Sequence, residues 1–231
     1  MRRLIRSVIW IFATIVAAFL LLQGWYAAHI WWWRDHPPQE TAFMAMRAKE
    51  LRGERPDARR AYHWVPYERI SVELKRAMIA AEDAKFVDHE GFDWEGIALA
   101  LDKNYRRGRV VAGGSTITQQ LAKNLFLSAE RSYWRKGEEA ILTLMLEAML
   151  DKRRIFELYL NVIEWGNGVF GCEAAARRYF GTSASALDAA QAARLAAMAP
   201  NPRYYERHPD ARGLARKTAI VLARMPSAEL P

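Results

Sequence analysis

The chain of 231 residues contains a single cysteine, Cys172. An internal disulfide is therefore excluded, and Cys172 reads as a small buried side chain. Internal repeats and low-complexity tracts are absent. No run of alternating apolar and polar residues is long enough to specify a sheet, which leaves a mainly α fold. The nucleotide P-loop is missing as well. The stretch GGSTITQQLAKN, Gly113–Asn124, opens on two glycines, but no Gly-Lys-Ser/Thr follows four residues after the first. From Ser7 to Ala28 there is no charged residue at all.

That uncharged run, SVIWIFATIVAAFLLLQGWYAA, follows Arg2, Arg3 and Arg6 and precedes HIWWWR. About 20 such residues span a bilayer as a helix. Trp31, Trp32 and Trp33 stand where an aromatic interface belt is expected, and the arginines orient the N-terminus toward the cytoplasm. A cleavable signal peptide, cut near Ala27 and Ala28, is the rival reading. The length of the run and the lack of a clean A-x-A site favour an uncleaved anchor. Residues 1–33 are thus expected to form a cytoplasmic tip and transmembrane anchor, and residues 34–231 one domain. The anchor is expected to supply local concentration rather than chemistry. A net charge of +8 and an isoelectric point near 9.7 call for an anionic partner. For a tethered protein, lipid phosphates come before nucleic acid.

After the linker RDHPPQ, nearly every segment has helical periodicity. Thr41–Arg52, VELKRAMIAAED, WEGIALALDKNYRR, EEAILTLMLEAML, KRRIFELYLNVI, LDAAQAARLAAM and ARGLARKTAIVLARM all fit it. Three segments then carry more polar groups than a helical core needs. In AAEDAKFVDHEGFD, Glu82 lies four residues after Met78, beside the apolar stripe of its own helix. Partial desolvation there raises a carboxylate's pKa and suits it to take a proton. Asp83, Phe86 and His89 are placed to fix that helix end, and a solvated acidic helix end is the plainer reading. In Gly113–Asn124, Ser115 and Thr116 resemble an N-cap with Gln119 at the capping-box position. Thr118, Gln120, Lys123 and Asn124 add polar groups on further faces. In RSYWRKGEE, Arg135 and Lys136 lie just ahead of a helix expected to begin near Glu138, with Glu139 in its first turn. Cations gathered about one acid suit a diphosphate, alone or with a divalent ion, and a solvated turn is the alternative.

Taken together, these segments resemble the family 51 glycosyltransferases, the peptidoglycan glycosyltransferases that polymerise lipid II. E-D-x-x-F-x-x-H-x-G is met by Glu82, Asp83, Phe86, His89 and Gly91. G-x-S-T-x-T-Q-Q is met by Gly113, Ser115, Thr116, Thr118, Gln119 and Gln120. R-K-x-x-E is met by Arg135, Lys136 and Glu139, and K-x-x-I-x-E-x-Y-x-N by Lys152, Ile155, Glu157, Tyr159 and Asn161. GVFGCEAAARRYFG and the APNP ending near Pro202 are also family-like.

The resemblance implies a lysozyme-like, two-lobed helical domain with a cleft. Glu82 is implied as catalytic base and Glu139 as the second catalytic carboxylate. Asp83, Ser115, Thr116, Gln119, Gln120, Lys123, Asn124, Arg131, Arg135 and Lys136 are implied in substrate binding. Glu139 would orient Lys136 or a Mg²⁺ or Mn²⁺ ion; no organic cofactor is implied. The basic loop Asn104–Gly114 would cover the site. The implied partners are lipid II, the growing lipid-linked glycan, the membrane, and cell-wall synthesis or division proteins, with no nucleic acid. The domain would then lie outside the cytoplasmic membrane. A lytic enzyme on the same fold is the alternative. It needs a second carboxylate acting as an acid, and a carboxylate among cations is ill placed for that. A membrane-tethered basic binding module is a third reading. It would need its cations and aromatics on one exposed face rather than mixed with carboxylates and amides.

Overall fold

A computed structural model describes residues 1–54, 56–57, 59–109, 113–127 and 132–231, and the chain they trace is mainly helical. The first helix, α1 (Arg2–Trp33), is continuous, and it is long and apolar enough to cross a membrane. Its side chains face outward from Arg3 to Leu22. Beyond that point a stripe spaced i, i+4, i+7 turns inward: Tyr26, Ile30 and Trp33 are buried. Trp31 and Trp32 remain exposed as the belt requires, but Trp33 belongs to the core. The rings of Trp25, Tyr26 and Trp33 meet Phe126. The Tyr26 hydroxyl donates to Glu138 at 2.6 Å, and Arg154 Nε donates to the Trp33 carbonyl at 2.8 Å. The end of the anchor is therefore packed into the domain.

The remaining helices are α2 (Ala42–Glu54), α3 (Val72–Glu82), α4 (Trp94–Arg107), α5 (Ile117–Phe126) and α6 (Tyr133–Met149). They continue with α7 (Lys152–Val162), α8 (Cys172–Phe180), α9 (Ala189–Met198), α10 (Pro202–Arg207) and α11 (Arg212–Arg224). The alanines of α9 let α3 and α11 approach it closely, and α5 packs on both α6 and α7. Phe86, Phe156, Tyr159, Trp165 and Phe170 fill the space between as the largest buried rings.

Among the described residues three short strands also form: β1 (Ala61–Tyr62), β2 (Glu164–Gly166) and β3 (Val169–Phe170), in the order β1-β3-β2. Ala61 pairs with Val169 in parallel, and Glu164 with Phe170 antiparallel. Strands of two or three residues are too short to show a period of two in the sequence. Together they tie the chain after α2 to the chain after α7.

The start of α6 departs from expectation. Ser132 caps the helix, its hydroxyl accepting the Arg135 N–H at 3.1 Å, so α6 begins at Tyr133 rather than near Glu138. The apolar stripe that marks the helix starts only at Ile141, which hides its first two turns. Arg135 and Lys136 thus lie on the helix and not ahead of it, at i−4 and i−3 from Glu139.

Candidate active site

Glu82 ends α3, and Asp83 caps it with its backbone N–H on the Ile79 carbonyl. The Asp83 carboxylate does two further jobs. It accepts the Ile117 N–H at 2.9 Å, at the first residue of α5, and faces His89 Nε2 at 3.0 Å. A carboxylate at a helix N-terminus is favoured by the helix dipole and the unpaired N–H groups there. Thr116 completes that end in a capping box with Gln119, and its hydroxyl donates to the Gly91 carbonyl at 2.7 Å. Gly91 has φ +86°, and a Cβ there would meet Thr143 Cγ2 at 2.7 Å. Asp83, Thr116 and Gln119, all buried, therefore fix α5 against the end of α3.

This tie brings Gln120 to Glu82. Gln120 Nε2 donates to Glu82 Oε2 at 2.7 Å, while the Tyr159 hydroxyl donates to Gln120 Oε1 at 3.1 Å. Because Tyr159 gives its proton to the amide oxygen, the amide NH₂ must turn toward the carboxylate. Burial holds the Tyr159 phenol well above the usual phenolic range, so it stays a donor. Burial likewise pushes the Glu82 carboxyl up, against the pull of the Gln120 amide, Lys217 and Lys123. Its second oxygen, Oε1, is buried with no hydrogen bond among the described residues. That oxygen is a ready proton acceptor.

This hydrogen bond links residues that line two different cavities. One, of about 430 Å³, is walled by Glu82, Ser115 and the cations Lys85, Lys103 and Arg224. The other, of about 380 Å³, is walled by Gln120, Lys123, Asn124 and Arg135, with Arg47 and Arg203 also in its lining. Burial lowers the Lys123 pKa, and nearby Glu139 and Glu82 oppose that while Arg135 adds to it. Asn124 Nδ2 is held on the Gln120 carbonyl at 2.7 Å.

Glu139 lies behind this wall, buried, with Arg135 at 3.0 Å on one oxygen and Lys136 on the other. Lys136 remains half exposed. The carboxylate is thereby filled by two cations, and no group of three His, Cys, Asp or Glu suited to a metal occurs among the described residues. A Mg²⁺ ion is commonly held by one or two carboxylates, with water and substrate phosphates completing its oxygens; Glu139 is the carboxylate placed to serve one, and both its oxygens face cations here. Arg131 and residues 110–112 of the proposed covering loop lie outside the described residues.

Three of the residues on this wall escaped the sequence. Glu164, on β2, is buried beside Arg47 of α2 at 3.1 Å, and Arg203 of α10 completes the side. Burial raises the Glu164 carboxyl, with Arg47 and Arg203 opposing. A carboxylate inside the apolar run VIEWG was the one available signal. The fourth motif, by contrast, is mostly scaffold. Asn161 exchanges two hydrogen bonds with the Val65 backbone, each 2.9 Å, and Glu157 accepts the Tyr67 N–H at 2.8 Å. Lys152 bonds Glu147 at 2.8 Å, which also accepts from Thr118 at 2.6 Å.

Residues 49–226 match the family model described as Transglycosylase. The chain is 64% identical over 212 residues to the biosynthetic peptidoglycan transglycosylase of Methylobacillus flagellatus, covering 92% of this chain and 93% of that one. It is 64% identical over 217 residues to the protein of the same name from Dechloromonas aromatica, at 94% of each. Against that of Herminiimonas arsenicoxydans the identity is 54% over 231 residues, the full length of both.

Proposed function

This chain belongs to the transglycosylase family, a family of glycosyl-transferring enzymes, and from that premise we propose that it polymerises lipid II into β-1,4 glycan strands. The observation that carries this reading is the Glu82–Gln120 hydrogen bond, which joins a cavity holding a raised carboxylate to one walled by cations. The acceptor, lipid II, presents its GlcNAc 4-hydroxyl to Glu82. As that oxygen bonds to C1 of the MurNAc at the end of the growing chain, its proton passes to Glu82. The C1–oxygen bond to the diphosphate breaks, and the bonding pair leaves with undecaprenyl diphosphate. One in-line attack on an α-linked donor gives a β linkage, so the reaction inverts C1.

Lys123, Arg135 and Lys136 meet the charge that grows on the departing diphosphate, which is where fixed cations lower a barrier most. Glu139 holds Arg135 and Lys136 in place. A divalent ion would have to draw its oxygens from the diphosphate itself. The arginines in the first turns of α1, ahead of its uncharged run, set the N-terminus in the cytoplasm and the domain on the outer face of the cytoplasmic membrane. A glycosidase needs its second carboxylate free to protonate a leaving oxygen, and Glu139 is occupied on both oxygens.

Purified protein given lipid II should yield uncrosslinked glycan that lysozyme digests completely. Release of soluble muropeptides from purified sacculi, without glycan synthesis, would replace this reading with the lytic one.

A further inference from the structure

On the flank of α6 away from Glu139, an apolar cavity of about 220 Å³ opens between α6 and the membrane-spanning helix α1. Its walls are Phe19 and Leu22 of α1 and Trp134, Gly137, Glu138 and Ile141 of α6. The one polar wall residue, Glu138, is turned to the Tyr26 hydroxyl. Phe19, Leu22 and Ile141 are about 40% exposed and Trp134 is 79% exposed, so the apolar surface stands open rather than packed.

Three features make this a built groove rather than a loose seam. Its two walls are pinned together, since the Tyr26–Glu138 bond and the ring contacts of Trp25, Tyr26 and Trp33 with Phe126 hold α1 against the domain. Gly137 sits inside a helix, where glycine is unfavourable. A Cβ there would meet nothing within 4 Å, so no close contact demands it. The glycine leaves the groove floor open. Finally, Phe19 and Leu22 belong to the uncharged run, which puts the groove at the depth of the lipid tails on the side of the bilayer that carries the domain.

We infer that this groove binds the first isoprene units of the polyprenyl chain of the lipid-linked substrate. The inference rests on the synthase reading above, and the link is continuity along α6. Arg135 and Lys136, the cations assigned to the diphosphate, are interleaved with Trp134 and Gly137 in the same two turns. Trp134 to Ile141 spans roughly 10 Å of helix. A lipid diphosphate joins its anionic head directly to its apolar tail. The first turns of α6 offer a cationic flank and an apolar flank side by side, which matches that junction. A bilayer phospholipid also joins a phosphate to apolar tails, but with two acyl chains and a single phosphate, and the competition below separates the two.

Gly137→Leu fills the groove, its Cβ entering open space, and Gly137→Ala fills it in part. Both should fold, because each is a better helix former; a melting temperature at or above the parent's checks this. In polymerisation with long-chain and short-chain lipid-linked substrates, the ratio of kcat/KM for long over short should fall about tenfold in Gly137→Leu. It should fall less in Gly137→Ala. An unchanged ratio would overturn the inference. The second measurement needs no turnover. A polyprenyl diphosphate with a photoreactive tail should label the peptides carrying Leu22, Trp134 and Ile141, in competition with unlabelled polyprenyl diphosphate, and Gly137→Leu should weaken it. Equal labelling by a photoreactive phosphatidylglycerol, uncompeted by polyprenyl diphosphate, would make the groove a bilayer-lipid seam. If the protein labels but makes no glycan, the synthase reading fails and the groove stands.

Discussion

A carboxylate that must accept a proton is best kept where its charged form is costly, and Glu82 is in such a place. Its raised pKa has two consequences with opposite signs. Catalysis by a general base requires the charged form, so the rate should fall as pH drops through the raised Glu82 value. Stability requires the neutral form. The contribution tied to Glu82 is fully present below the unfolded carboxylate value, about pH 4.3, and is lost as pH rises through the folded one. Glu82→Gln should therefore lower polymerisation by at least about 10²-fold while melting a few degrees above the parent at pH 7. Near pH 4 the difference in melting temperature should vanish. A variant that loses activity but melts lower at pH 7 would place Glu82 in the scaffold. Tyr159→Phe removes the donor that orients Gln120. We expect kcat to fall about tenfold with KM little changed, since the freed amide can turn its oxygen toward Glu82. The position of Glu82 beside an apolar stripe made it legible in the sequence. Its pairing with Gln120, 38 residues away, was not, because only the Asp83–Ile117 tie brings the two helices together.

Elements were legible where an apolar stripe ran to their ends. Because stripe and cap coincide in them, the expected bounds of α4 match the structure, and those of α7 differ only at Ile163, which caps the helix rather than ending it. In α6 they do not coincide. Its first turns carry Tyr133, Trp134, Arg135 and Lys136, whose apolar members face outward, and only the Ser132 cap marks the start. Cations in the first turn of a helix oppose its dipole, and Glu139 beneath this end, or an anion before it, offsets that cost. Arg135→Ala and Lys136→Ala should each lower kcat, by about 10–10²-fold, because the charge they meet grows toward the transition state. A change confined to KM would reduce them to ground-state phosphate binders. Glu139→Gln should cost more than either, as it releases both cations at once, and added Mg²⁺ or Mn²⁺ should not restore activity. Rescue by either ion would show that Glu139 serves a metal. The wall formed by Arg47, Glu164 and Arg203 illustrates what no single element announces. It assembles from α2, β2 and α10, and of these only the start of α10, at the end of APNP, touches a family-like stretch.

For the molecule as a whole, the structure changes what the anchor is for. The sequence marks residues 1–33 as a tether, which local concentration alone would explain. But Tyr26, Ile30 and Trp33 are buried in the same core as Leu121 and Leu125 of α5, the helix that carries Gln120 and Lys123. Fully burying one such side chain stabilises by about 1.5–3 kcal/mol. Deleting residues 1–33 removes three of them, a loss of roughly 4–9 kcal/mol on that scale, and comparable to the whole stability of many domains. Deleting residues 1–18 removes none. In detergent, where tethering is irrelevant, the shorter deletion should keep the parent's melting temperature and kcat. The longer one should melt at least about 10 °C lower and lose activity as α5 and α6 come loose from each other. On liposomes both should be slow, because neither retains a full span. If the two truncations behave alike in detergent, the last turns of α1 add nothing to the domain, and its role ends at the membrane surface.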